Sequence, residues 1–203
     1  MKHLQLSDVE VVEIPWQEPV QTRDLPVIKA ETYAERITQL RERMEQQGLS
    51  HVIVYGDREH FANTRFLTGY DPRFEESLVI VGLTGQPRLL VGLEGLYYAA
   101  IAHGVEVELY DKFSLQGQPQ RGRSLEAILA DCQVSSSSKV GIAGTKYHET
   151  DDLAEAAIVS DVPYYIVDLL IRAAGQDKIL DVTRWFTDPT TGLRIPLTVD
   201  EIA

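Results

Sequence analysis

A chain of 203 residues with 44% hydrophobic content can bury about 70% of the surface its unfolded form exposes, enough for one domain that folds unaided. Its net charge of −12 and pI near 4.8 exclude phosphate backbones and anionic membrane surfaces as partners, because the chain's own field repels them. The longest apolar stretch, residues 89–102, is interrupted by Glu94 and too short for a bilayer, and Met1-Lys2-His3 is not followed by a signal-peptide core. With a single Cys132 and hence no intrachain disulfide, the expectation is a cytoplasmic protein with no membrane and no nucleic-acid partner.

Residues 1–31 read as an arm, in which 9–14 form a possible edge strand before Pro15, Pro19 and Pro26 break regularity. Thr32 and Glu35 make a capping box, and Tyr33, Ile37, Leu40 and Met44 recur at helical intervals on one face until Gly48 supplies the stop. His51-Val52-Ile53-Val54-Tyr55 is a nearly continuous apolar run, the pattern of a strand covered on both faces. Gly56-Asp57 turns the chain, and Phe66-Leu67-Thr68-Gly69-Tyr70 suits a fixed loop at a sheet edge, with Gly69 free to take angles closed to other residues.

Two strands, 77–81 and 87–91, are joined across Thr84-Gly85 as a hairpin, and a helix follows from Glu94 to about His103. The alternation in 105–109 marks a strand that is antiparallel or at an edge, with one packed face. Ser124 caps a helix whose Leu125, Ile128, Leu129 and Cys132 share a face, and the serines 135–138 connect it to a strand at 139–143. Thr150 starts a helix through Val159, and Tyr164-Tyr165-Ile166-Val167 reads as a strand entering a helix capped by Asp168. A further helical pattern over 177–186 leads to Asp188-Pro189-Thr190-Thr191-Gly192, the best linker. Thr198-Val199-Asp200-Glu201 is another capping box with only Ile202 and Ala203 after it, a nucleus too short to persist alone, so the chain is expected to be a piece of a longer protein. The alternation of elements predicts an α/β fold, a mixed sheet of mainly five to six strands flanked by helices.

Several motifs fail on inspection. Gly141-Ile142-Ala143-Gly144-Thr145-Lys146 lacks the spacing and the Ser or Thr of a phosphate loop. His148, Glu149, Asp151 and Asp152 read as first-turn charges on a helix rather than metal ligands, Cys132 as a packed thiol, and the serines lack a nucleophile elbow. The set assigned to function is His60, Asn63, Arg65, Tyr70 and Arg73, as substrate-gating candidates gathering donors, cations and a ring around one sheet edge. Arg65 or Arg73 can hold a substrate carboxylate in a bidentate fork. The structural alternative is that Asn63, the only Asn, caps a turn and that the arginines are solvated or pair with Glu75 and Glu76.

The succession Tyr33, Arg36, Leu40, Met44, Gly48, an apolar strand, then Asn63-x-x-Phe66-Leu67-Thr68-Gly69-Tyr70 resembles the N-terminal domain of the creatinase, aminopeptidase P and prolidase family. The resemblance covers roughly residues 30–203 and is densest before residue 100. It implies a creatinase-like N-terminal domain over 32–187, and over 188–203 a linker and the start of a C-terminal catalytic domain with the pita-bread fold. It further implies two divalent ions, Mn, Co or Zn, held by two Asp, one His and two Glu of that following domain; none of those motifs stands in this sequence, which therefore has no catalytic or metal residue to assign. The partners implied are the chain's own catalytic domain, further copies in a homo-oligomer such as a homodimer, and a short peptide or small-molecule substrate. The activity implied for the parent is that of an Xaa-Pro aminopeptidase or prolidase. The alternatives are a creatinase-like non-peptidase hydrolase and a stand-alone module that binds a small molecule or a partner.

Overall fold

The computed structural model describes residues 10, 12–13, 27–119, 121–146 and 158–202. One six-stranded mixed sheet runs through them in the order β4-β3-β2-β1-β5-β6, built from β1 (His51–Gly56), β2 (Ser77–Gly82), β3 (Arg88–Val91), β4 (Glu106–Leu109), β5 (Val140–Ala143) and β6 (Ile179–Asp181). Seven α-helices accompany it among the described residues: α1 (Ala30–Gln47), α2 (Ala62–Thr68), α3 (Leu93–Tyr98), α4 (Leu125–Asp131), α5 (Tyr164–Ala174), α6 (Arg184–Thr187) and α7 (Val199–Ile202). This is the mixed sheet with flanking helices that the pattern of elements predicts.

The centre of the sheet follows from the apolar run at 51–55. Val52 and Val54 point to the side packed by Leu40 and Met44 of α1 and Leu67 of α2, whereas Ile53 and Tyr55 join Ile128 of α4 and Ile166 and Leu170 of α5 on the other side. Burying each such aliphatic side chain is worth about 1.5–3 kcal/mol, which is why β1 sits in the middle and is buried throughout. β1 pairs antiparallel with β2 and parallel with β5; β2 pairs antiparallel with β3 as the predicted hairpin, with Gly85 in the left-handed region at its tip.

Several local expectations are corrected. α1 begins at Ala30, so Thr32 lies inside the first turn, its N–H bonded to the Lys29 carbonyl at 3.1 Å, and no side chain caps the helix. Gly48 does end it, at φ 65°. The segment expected as a loop is mostly helix α2, because Thr64, Leu67 and Thr68 at helical spacing are all buried, and Gly69 at φ 78° closes it by donating to the Arg65 carbonyl. β4 is at the sheet edge as expected, and pairs parallel with β3.

Residues 164–167 are the first turn of α5 and not a strand: Ile166, Leu169, Leu170 and Ala174 form a helical stripe into the core that outweighs the strand preference of the tyrosines. Asp168 caps nothing and pairs with Arg172 one turn on, at 3.1 Å. The helical pattern over 177–186 resolves into a 3₁₀ turn, β6 and α6, since Ile179 and Leu180 pack to opposite sides of the sheet, the alternation of a strand, where β5 offers its edge. The helix expected at 150–159 falls mainly outside the described residues, and Ile158 and Val159 are not helical. The candidate strand at 9–14 also lies largely outside them, as do His148, Glu149, Asp151 and Asp152.

Candidate functional site

An open cleft of about 620 Å³ lies between α1, α2 and the segment that carries α7. Its floor is organised by Arg36, which the helical face of α1 turns inward until only 4% of it is exposed. Its guanidinium donates to the Phe66 carbonyl at 3.0 Å, lies 4.3 Å above the Phe66 ring and 5.4 Å from the Tyr33 ring, and meets the Glu201 carboxylate at 2.7 Å. Tyr33 in turn stacks on His103 at 4.7 Å, nearly parallel. A cation between two rings and a carboxylate has the desolvated environment in which guanidinium pairing is strongest.

Glu201 is doubly engaged, since one of its oxygens accepts the Thr198 N–H at 2.9 Å and hydroxyl at 3.0 Å, the carboxylate half of the predicted capping box. Burial alone would raise its pKa. The bonds from Thr198 and Arg36 outweigh that and hold it below the usual carboxylate value. A helix of four residues is thereby held where isolated helix physics would melt it.

The five residues singled out by sequence do not form one group. Arg65 is exposed on α2 and lines this cleft. Asn63, on the buried side of the same helix, donates from Nδ2 to the Gly144 carbonyl at 2.9 Å and so ties α2 to the end of β5. That is a tertiary anchor, where a local turn cap was the structural alternative. His60 sits at the exposed turn after β1, with Nδ1 3.1 Å from the Asp57 carboxylate that also accepts the backbone N–H groups of Glu59 and His60.

Tyr70 is 1% exposed, its ring 5.8 Å from Tyr98, and burial first, then the Glu75 charge, pushes its pKa well above the ordinary tyrosine value. Its hydroxyl takes the space a side chain on Gly95 would need. Arg73 is exposed, 4.0 Å from Asp71. Neither arginine pairs with Glu75, which is buried and accepts the N–H groups of Glu94 (3.3 Å) and Gly95 (3.0 Å) at the start of α3. Gly92 leaves the room for that carboxylate, as a Cβ there would stand 2.1 Å from Glu75 Oε2.

The sequence placed none of Arg36, Glu75, Arg194 and Glu201 in the functional set. Arg36 was detectable as a charge on an otherwise apolar helical face. Glu75 and Arg194 carry no local signal, since only the packing of distant segments buries them. Among the described residues no three His, Cys, Asp or Glu side chains converge as a group able to hold a metal ion. Among the same residues no helix is long and apolar enough to cross a membrane.

A family model described as the Creatinase/Prolidase N-terminal domain matches residues 36–184. Among solved structures, the prolidase from Pyrococcus horikoshii OT3 is similar at a TM-score of 0.55 and 15% identity, covering 83% of this chain and 37% of that one. The Xaa-Pro dipeptidase from Bacillus anthracis is similar at a TM-score of 0.54 and 13% identity, over 84% of this chain and 38% of that one. The Creatinase/Prolidase N-terminal domain of an X-Pro dipeptidase from Streptococcus pyogenes gives a TM-score of 0.50 at 16% identity, over 76% of this chain and 98% of that one. The chain thus spans little more than a third of the two longer enzymes, and the likeness at these identities is one of fold. A comparison with curated proteins returned no match.

Proposed function

Since this chain belongs to the creatinase/prolidase N-terminal domain family, we propose that it is the non-catalytic N-terminal domain of a prolidase-type or Xaa-Pro aminopeptidase-type metallopeptidase, serving subunit contact and substrate gating. The observation that carries this reading is the family match over 36–184, set beside enzymes that share the fold and are more than twice as long. The two divalent ions, Mn, Co or Zn, belong in this reading to a C-terminal catalytic domain, and the substrate is a short peptide with proline in second position. The apolar side chains of Ile195, Leu197, Val199 and Ile202, 46–82% exposed, are the surface on which that domain packs. Phe74 and, on α3, Tyr97, 68% and 87% exposed, serve contact with a second copy in a homodimer. Of the gating candidates, His60, Arg65 and Arg73 are exposed and reach substrate or a neighbouring subunit, while Asn63 and Tyr70 hold the elements that present them. The acidic surface and single Cys132 support a cytoplasmic setting.

The test is a Mn-dependent Xaa-Pro dipeptide assay of this chain beside the longer protein. Turnover is expected only in the longer one, and turnover by the 203 residues alone overturns the reading. Arg65→Gln in the longer protein is expected to raise KM with kcat retained. Hydrolysis of a small nitrogenous metabolite in place of the dipeptide selects the creatinase-like alternative, and a gene that ends at Ala203 selects the stand-alone binding module.

A further inference from the structure

Arg194 lines the cleft described above, half-buried beside Phe186 and Thr187, and burial lowers its pKa. Its Nε is closed to water and finds no acceptor among the described residues. A buried N–H donor without an acceptor is costly, because its desolvation is not repaid by a hydrogen bond. The other charges of the cleft do not repay it. Glu201 is committed to Arg36 and Thr198, and Asp200 makes no ion pair among the described residues. Arg65 lines the same cleft without a carboxylate partner among the described residues. Three arginines against two carboxylates leave the cleft with one uncompensated positive charge.

We propose that this cleft is a carboxylate-binding site in which Arg194 receives the anion and Arg65 assists from the same cleft. One singly charged carboxylate neutralises the surplus, and its two oxygens match the planar fork of a guanidinium. A phosphate, carrying nearly twice the charge, meets Asp200 and Glu201 and is disfavoured. The carboxylate has two possible sources, a small organic acid or an acidic side chain of the polypeptide that follows residue 203; only the second rests on the function proposed above.

The test is the Arg194 Nε–H resonance of the 203-residue chain, titrated with acetate against chloride at constant ionic strength. A saturable shift is expected with acetate and not with chloride, about tenfold weaker in Arg65→Gln; in Arg194→Lys, which keeps the charge and removes the fork, the acetate response of the Arg65 Nε–H resonance is expected to be lost. An identical response to both salts overturns the proposal. So does a resonance that ignores acetate and moves instead in Asp200→Asn, since Asp200 is then the counter-ion. In the longer protein, a resonance already at its bound position before acetate is added supports an internal carboxylate, and one that still moves with acetate supports a free acid. A loss of peptidase activity in the longer protein without any change in these shifts bears on the proposed function alone.

Discussion

Arg36 of α1 and Glu201 of α7 meet at 2.7 Å, so the first described helix clamps the last one. The clamp is sheltered, with the two side chains 5% and 19% exposed, and it positions the wall of the cleft in which Arg194 and Arg65 lie. Its strength should be measurable from both ends.

Arg36→Met leaves Glu201 without its cation and empties the space between the Phe66 and Tyr33 rings; a loss of about 3 kcal/mol is expected. Glu201→Gln keeps the shape and should cost about 1–2 kcal/mol. Urea unfolding of both variants and of the double variant is the check, and additive losses would show that the contact contributes no coupling.

Asn63→Ala removes the bond to Gly144 and leaves that carbonyl buried. About 1–2 kcal/mol should be lost, with amide exchange accelerated first in α2 and the end of β5. Exchange that rises evenly over the whole sheet would argue against a local tie.

Gly95→Ala brings a methyl group to 2.3 Å from the Tyr70 hydroxyl oxygen. The expected cost is about 1–3 kcal/mol, and Tyr70→Phe in the same chain should recover most of it by removing the clashing oxygen. Thermal unfolding of the single and double variants decides it.

His51 opens β1 buried, with Nε2 2.9 Å from the Cys132 carbonyl. Burial lowers its pKa from 6.5, the bond to Cys132 opposing. Below pH 6.5 the unfolded chain therefore takes up a proton the folded chain resists, so stability is full above that pH and falls as pH drops toward the folded value. Glu201, held below 4.5, adds stability that is lost only under that pH, and Glu76, raised above 4.5 by burial and Asp57, acts in the opposite sense above it, its cost relieved as pH falls from the folded value to 4.5. Urea midpoints at about pH 7.5 and about pH 5.5 should differ less in His51→Asn than in the parent.

The elements legible in the sequence are those whose signal is local. Gly48 and Gly85 stand where the left-handed backbone is needed, Ser124 accepts the Ala127 N–H as a cap, and the 51–55 run is buried on both faces. The misread elements are those where tertiary burial overrides propensity: the tyrosines at 164–165 are helical because Ile166 and Leu170 face the core, and 179–181 become a strand only because β5 offers an edge. The candidate site divides in the same way. His60, Arg65 and Arg73 stand exposed as charged residues in surface positions do, whereas Tyr70 and Asn63 were drawn inward by α3 and β5, neighbours distant in sequence.

By itself the order of residues determined the class of fold, the central strand, the hairpin and the family likeness, because hydrophobic spacing and turn chemistry act over a few residues. Only the tertiary structure decided that Arg36 would hold Glu201, that Glu75 would serve the start of α3, and that Arg194 would stand in a cleft with its Nε lacking an acceptor among the described residues. Charge pairing and desolvation depend on which surfaces meet, and segments far apart along the chain meet only once the sheet has brought them together.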